Sequence, residues 1–439
     1  MAGKYHPYPS YQHHDALGVE TLPAEWGRKK VKHLFRIGRG RVISEQELVE
    51  DGFYPVYSSQ TSNDGRMGFI NTYDFDTDQI TWTTDGANAG TVFIRHGKHN
   101  CTNVCGTLEL NDEVARLKFF LYFLRYATQF HKRPDTNGAK IMNNEMAEIT
   151  LAIPSLPEQT QIAAFLDHET AKIDALIAKQ ERLIALLEEK RQAVISHTVT
   201  KGLNPDAPLR PSGIDWLGDV PAHWEVKRLK YLGDAWNGLT YSPDDVADEA
   251  EGTLVLRSSN IQNASLAFND NVYVKGNIPA KARVLEGDIL ICSRNGSRAL
   301  IGKNVQIPSD LEGAAFGAFM CIFRSNTNDY LSKVLNSSLF EFQSGTFLTS
   351  TINQLTTGNL LSFEIPLPPK GERAEIVDFL DRQVPKFNDL IMKSHSAASL
   401  LKERRSALIS AAVTGKIDVR DWQPPKDISE QDIAEKAFA

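Results

Sequence analysis

The residues best suited to chemistry lie in two short polar loops, and the chemistry they suit is recognition. Thr83-Thr84-Asp85-Gly86-Ala87-Asn88-Ala89-Gly90 follows a strand-like run ending at Trp82, and Ser293-Arg294-Asn295-Gly296-Ser297-Arg298 follows another ending at Cys292. Hydroxyl, amide and guanidinium groups on glycine-freed loops reach phosphates, and Asn, Gln or Arg can pair two-pronged with adenine or guanine edges. The same residues also build tight turns for backbone reasons alone, which is the competing reading. Two further polar stretches stand before long helical segments: Lys132-Arg133-Pro134-Asp135-Thr136-Asn137-Gly138-Ala139-Lys140, leading to Asn143-Asn144, and Ser344-Gly345-Thr346, leading to Asn353-Gln354. The candidate contacts are therefore Thr84, Asn88, Asn137, Lys140 and Asn143 in the first half, and Arg294, Asn295, Arg298, Asn353 and Gln354 in the second.

Catalytic constellations are incomplete. Gly38-Arg39-Gly40 begins like a phosphate-binding loop, but Ile43 stands where the third glycine belongs. Gly302-Lys303-Asn304 misses the P-loop spacing and the Ser or Thr that would hold magnesium. Pro134-Asp135 with Lys140 resembles part of a nuclease site without the acid two residues before the lysine. Neither Asn-Pro-Pro-Tyr nor Asp-Pro-Pro-Tyr, with which adenine methyltransferases hold a flipped base, occurs. Cys101 and Cys105 lack a second Cys or His pair at zinc spacing and are expected to be buried thiols. Four cysteines in 439 residues also argue against a disulfide framework. No catalytic residue and no metal ligand are assigned.

The length suits two or three domains. No run of about 18 apolar residues exists, so no transmembrane helix is expected. The N-terminus, rich in Tyr and His, lacks the apolar core of a signal peptide, and the expected address is cytoplasmic. The net charge of -7 does not advertise nucleic-acid binding, but distribution matters more than the sum. Arg28, Lys29, Lys30, Lys32, Arg36, Arg39 and Arg41 form a run without an acid, and Lys281, Arg283, Arg294, Arg298 and Lys303 form a looser one. Such runs are also what a solvated charged face looks like.

The elements that position the loops are repeated. Phe165-Leu166-Asp167 returns 214 residues later as Phe379-Leu380-Asp381, and Val199-Thr200 as Val413-Thr414. Pro23-Ala24-Glu25-Trp26 likewise echoes in Pro221-Ala222-His223-Trp224. Leu166, Ile173, Gln180, Leu187 and Val194 recur every seven residues, as one seam of a helix that buries a stripe. Ile162, Glu169, Leu176, Leu183 and Lys190 are read as the other seam. Leu380, Phe387, Leu401 and Leu408, with Ile376, Leu390 and Ala397, repeat both. Gln180 with Ser394 and Lys190 with Arg404 are matched polar interruptions, which suggests that the copies pack on each other in register. The expected packing contacts are Leu166, Ile173, Leu176, Leu187, Leu380, Phe387, Leu390 and Leu401. Proline-rich turns, Ile153-Pro154 and Ile365-Pro366, introduce the helices. Pro385, in place of Ala171, predicts a kink or break near Gln383. Between the echoes, β-branched and aromatic runs such as 79–82 and 288–292, with helical stretches near 114–128 and 330–343, predict two α+β inserts of similar plan and divergent sequence.

This doubled order of Trp-containing leader, variable insert, Ile-Pro with Pro157-Glu158-Gln159, and Phe-Leu-Asp helix resembles the specificity subunit of type I restriction-modification systems. The loops after Trp82 and Cys292 resemble that family's target-recognition domains. Lys370-Gly371-Glu372-Arg373 departs from the pattern, standing where Glu-Gln is usual. The resemblance implies an α+β fold with two target-recognition domains separated by the family's two conserved long helices, packed as an antiparallel coiled coil in a pseudo-twofold repeat. The expected organisation is a leader and first recognition domain over 1–152, a helix over 153–203, a leader and second domain over 204–364, a helix over 365–417 and a tail over 418–439. It further implies double-stranded DNA as ligand, one half of a split site per domain, two methylation subunits, and restriction subunits in the full complex. S-adenosylmethionine, ATP and magnesium would act on those partners, and this chain would be non-catalytic. About 40 helical residues span roughly 60 Å, so half-site centres about one to one and a half DNA turns apart are expected. The alternative from another class is a coiled-coil adaptor whose inserts bind protein.

Overall fold

The heptad spacing produces two long helices, Leu156–Lys201 and Lys370–Val413. The computed structural model describes residues 5–13, 21–111, 116–136, 138–262, 264–347 and 354–424. Each long helix follows a short strand, Thr150–Ile153 or Glu364–Leu367, that pairs antiparallel with Gly27–Lys30 or Glu225–Arg228. Each leader is thereby tied to the root of its helix, and a polar contact strengthens the tie. The Trp26 indole N–H donates to Glu158 Oε1 at 3.1 Å, and that of Trp224 to Glu372 Oε2 at 3.0 Å. Both glutamates sit in the first helical turn, where a carboxylate also meets the positive end of the helix dipole. The departure at Lys370-Gly371-Glu372-Arg373 thus keeps the glutamate and exchanges the glutamine for Arg373.

Two compact units divide the chain: Met1–Gln180 with Ser396–Ala439, and Glu181–His395. Each holds one insert and a stretch of both long helices. In the first, strands Val92–Arg95, Gln79–Thr83, Cys105–Leu110 and Phe35–Arg39 form an antiparallel sheet in that order, sharing a core with helix Leu117–His131. Gln79–Thr83 is buried at every residue, as its β-branched and aromatic composition requires. Trp82 fits there because Gly106 faces it; a Cβ on Gly106 would stand 2.2 Å from the indole.

The second unit repeats the plan. Strands Asn304–Gln306, Ile289–Cys292, Met320–Arg324 and Asp234–Asn237 follow the same antiparallel order. Here the covering helix is split into Asn328–Val334 and Ser338–Phe347. A second four-stranded sheet in each unit contains one parallel pair, Tyr54–Tyr57 with Lys98–Cys101 and Thr253–Leu256 with Ala315–Phe316. The two inserts are α+β with similar plans, as expected from their elements.

Within each unit the helices run antiparallel. In the first, Arg405 Nε meets Asp174 Oδ1 at 2.8 Å, while Gln161, earlier on the first helix, donates to the carbonyl of Trp422, beyond the end of the second. In the second, Arg191 meets Asn388, and Gly202 lies against Glu372. Leu166, Ile173 and Leu380 are buried, and Leu187, Phe387 and Leu401 half-buried.

The other seam starts as expected, with Ile162 and Ile376 buried, but beyond them it is displaced by one residue. Leu176 and Leu390 are 46% and 48% exposed, and the buried positions are Ile177, Ile184, Ile391 and Ala398. From Leu166 the buried strip steps by four and then three, through Thr170, Ile173 and Ile177. Taking Glu169 and Leu176 instead turns the strip by about 100° per residue, away from the partner helix. One of the two polar interruptions moves with it. Gln180 and Ser394 stay on the seam, whereas Lys190 and Arg404 are exposed and Arg191 and Arg405 take their place.

The second helix runs through Pro385 as one span, so the break expected near Gln383 does not occur. Pro385 is exposed, and its missing N–H falls on the solvent wall of the helix. Buried Ile376 and Leu380 before it and Ile391 after it hold the helix through the proline.

Candidate nucleic-acid interface

The polar loops converge, by backbone pairing between residues distant in sequence. In the first unit the chain leaves the buried strand Gln79–Thr83 and forms Asp85–Gly86, which pairs antiparallel with Gly138–Lys140. Gly138–Lys140 in turn forms a hairpin with Arg133–Asp135. The stretch before the first long helix is thus a hairpin joined to the loop after the central strand. Gly138 permits the approach: at φ 123°, its Cβ would stand 3.0 Å from the Gly86 carbonyl.

Side chains at this junction differ in what they can offer. Asn88 is exposed, and its Nδ2 donates to the Ser59 carbonyl at 3.2 Å. Lys140 forms an ion pair with Asp135 at 2.9 Å, which holds that carboxyl below its usual range. The fragment that resembled a nuclease site is therefore a paired hairpin. Asn143 is half-buried, with Nδ2 on the Gly38 carbonyl at 3.2 Å and a buried Oδ1 without a partner. Thr84 is buried outright, its hydroxyl on the Val104 carbonyl and its own carbonyl accepting from Ile141 N–H, so it builds the junction and cannot face a ligand. Asn137 and Asn353 lie outside the described residues.

The second unit makes the same junction with other side chains. Arg294 bridges Gln354 through the backbone, and the Leu355 N–H donates to the Ser293 carbonyl at 2.8 Å. Asn295 shapes the turn by accepting from Ser297 N–H and donates to Ser258 Oγ, both at 3.0 Å. Arg294 is exposed beside Phe319, itself 60% exposed, with 5.3 Å between guanidinium and ring centre. Arg298 is exposed and reaches the Gly345 carbonyl at 3.3 Å. Among the described residues neither arginine meets a carboxylate, so both charges remain available to an anionic ligand.

Four members of the basic run of the first unit are not free in that way. Lys30 and Lys32 share Glu148 at 2.6 and 2.5 Å, Arg36 meets Glu109 at 3.8 Å, and Arg41 meets Glu47 and Asp74 at 2.8 and 3.0 Å. All four cysteines are free and buried. Burial raises the Cys321 and Cys292 thiols to about 12 and about 11. Among the described residues no three His, Cys, Asp or Glu side chains gather as a metal would require, and no helix is long and apolar enough to cross a membrane.

Sequence reasoning missed a third loop at this place, residues 58–65 in the first unit with 257–260 as its counterpart. Its only local signal is polar composition, Ser58-Ser59-Gln60-Thr61-Ser62-Asn63-Asp64-Gly65.

Known proteins share this architecture. The family profile of the type I restriction modification DNA specificity domain matches residues 23–186 and 221–395. A type I specificity subunit N-terminus of Mycoplasma pneumoniae is 42% identical over 139 residues, 31% of this chain and 74% of its own. A second subunit from that organism is 40% identical over 209 residues, 46% of this chain and 60% of its own. The specificity subunit of the Methanocaldococcus jannaschii type I restriction enzyme MjaVIII is 24% identical over 425 residues, 91% of this chain and 95% of its own. Among solved structures, a chain reported in work on assembly and conformational transition of the type I R-M system has the same fold. Its TM-score is 0.66 at 15% identity, covering 90% of this chain and 99% of that one.

Proposed function

Because the chain belongs to the type I restriction modification DNA specificity family, we propose that it is the sequence-reading subunit of a type I restriction-modification complex. Each unit reads one half of a split, asymmetric site in double-stranded DNA. The observation that carries this reading is the recurrence of one junction in both units: the loop leaving the central strand is joined to the stretch before the long helix. The scaffold is shared and the side chains are not, so the half-sites differ. Arg294 and Arg298 suit guanine edges or phosphates, and Asn88 suits adenine.

The long helices are the surfaces for methylation subunits. Exposed leucines recur on them at matched positions, Leu176 with Leu390 and Leu186 with Leu400, and a duplicated apolar patch suits two copies of one partner. In this reading methyl transfer from S-adenosylmethionine belongs to those subunits, and ATP- and magnesium-dependent cleavage to restriction subunits. This chain is non-catalytic and works in the cytoplasm.

The test is to express the chain with its methylation subunits and map methylated bases across the host DNA. One split motif with two unlike halves is expected. No split motif, or DNA binding indifferent to salt, would overturn the reading.

A further inference from the structure

The loop of residues 58–65 in the first unit abuts the junction just described. Asn88 clasps its Ser59 carbonyl, and the Ser58 N–H closes the loop on the Gly65 carbonyl at 2.9 Å. Its tip has an uncommon backbone, with Asn63, Asp64 and Gly65 in succession at φ 48°, 57° and 79°. Asn and Asp enter the left-handed region more readily than other non-glycine residues, but two in succession are uncommon and persist where the surroundings hold them.

Here the surrounding group is Arg95. It is 2% exposed, with its guanidinium 3.6 Å from the Tyr57 ring centre and 4.4 Å from that of Phe93. It donates to Thr81 Oγ1 at 3.1 Å, to the Asp64 carbonyl at 2.8 Å and to Asp64 Oδ2 at 3.0 Å. Burying a guanidinium is costly, and a hydrophobic residue of similar volume would fill a core at least as well. This cation instead reaches from the edge strand Val92–Arg95 to the strained tip, where its carboxylate partner Asp64 is 72% exposed. A buried charge spent on holding an exposed tip points to the tip's position as the thing that matters.

The second unit offers an independent comparison. Ser59 and Ser258 each stand two residues beyond a strand whose last residue pairs in parallel, Tyr57 with Cys101 and Leu256 with Phe316. Asn295 Nδ2 donates to the Ser258 hydroxyl where Asn88 Nδ2 donates to the Ser59 carbonyl. Two inserts without convincing sequence similarity thus keep one joint, an asparagine from the central-strand loop holding a third loop against the site.

We propose that residues 58–65 are a third reading element of the first unit, in which Asn63 contacts a base edge and buried Arg95 is the positioning residue that presents it. This rests on the DNA-reading function above. Asn63 is exposed at the tip, and its amide offers the donor and acceptor that adenine's major-groove edge requires.

The test uses the complex with methylation subunits and compares methylated motifs. Asn63→Gly removes the amide while suiting the left-handed backbone, and should relax one position of one half-site, with discrimination there falling about 5- to 150-fold. Arg95→Met should relax the same half-site at that position and its neighbours, leaving the other half-site intact. A merely structural role would instead lower methylation evenly at all sites without changing the motif. Should Arg95→Met fail to fold, Asn63→Gly decides alone. A wild-type split motif left unchanged by Asn63→Gly overturns the third loop only, whereas a wild-type complex with no split motif overturns the DNA-reading function beneath it.

Discussion

Arg405 donates from Nε to Asp174 Oδ1 at 2.8 Å, and Arg191 donates from Nη1 to Asn388 Oδ1 at 2.6 Å. These are one contact made twice, because Arg191 and Asp174 each stand 214 positions before their counterparts. Lys118 with Asp167 at 2.7 Å and Lys333 with Asp381 at 2.5 Å tie helix to insert in the same duplicated way. The repeat has kept its polar fastenings while the inserts diverged.

The two versions of the fastening should respond differently to salt. Arg405 and Asp174 are partly exposed and both charged, so a double-mutant cycle should give a coupling of about 0.2–1 kcal/mol that shrinks as salt is raised. The Arg191 and Asn388 coupling, with a neutral acceptor, should hold nearly constant. Urea unfolding at low and high salt measures both, and equal salt sensitivity would contradict the assignment.

The displaced seam separates neighbouring residues by consequence. Ile177→Ala should cost about 2 kcal/mol or more, as for a buried aliphatic. Leu176→Ala should stay within about 0.5 kcal/mol, yet together with Leu390→Ala it should weaken capture of methylation subunits. Thermal unfolding and co-purification read the two effects, and a stability loss larger at Leu176 than at Ile177 would restore the register expected from sequence.

Glu158 accepts both the Trp26 indole N–H and the Tyr8 hydroxyl, the latter at 2.6 Å. Burial, more than the neighbouring carboxylate, drives the Tyr8 hydroxyl well above the usual phenol range, so it remains a donor. Glu158→Ala strands two buried donors and should cost about 1–3 kcal/mol for each. Glu158→Gln, which keeps an acceptor, should cost less in the same denaturation experiment.

The Lys30 ammonium, helped by Lys32, holds the Glu148 carboxyl at about 2, below its ordinary 4.5. A carboxyl depressed on folding contributes stability that is present above about pH 4.5 and is lost as pH falls towards 2. The stability difference between wild type and Glu148→Gln should therefore narrow steadily over that window in urea titrations. A difference constant with pH would show that the lysines do not act on this group.

The thiols should be inert in the folded chain. With Cys321 and Cys292 raised to about 12 and about 11, and Cys101 and Cys105 pushed up by burial as well, iodoacetamide at pH 8 should label none of the four until denaturant is added. Mass spectrometry of the native protein reads this directly.

Much of the scaffold was legible in the chain because its signals are local. Seven-residue spacing, the Ile-Pro turns and the β-branched runs locate the helices, their starts and the central strands. The doubling tells that the plan is used twice. The loops at 83–90 and 293–298 could be placed for the same reason, since each follows a strand that announces itself.

Tertiary structure decided what depends on rotation and on distant pairing. A heptad names the apolar stripe but leaves its edge open to one residue, and packing chose Ile177 over Leu176. Thr84 and Asn88 look alike as short polar residues in one loop, yet the backbone partners Val104 and Ile141 bury the first and leave the second exposed. The join between Asp85 and Lys140, and the reach of Arg95 to Asp64, link positions far apart in the chain. No local pattern encodes such links, because the backbone donors and side-chain partners that make them become neighbours only after the sheet has folded.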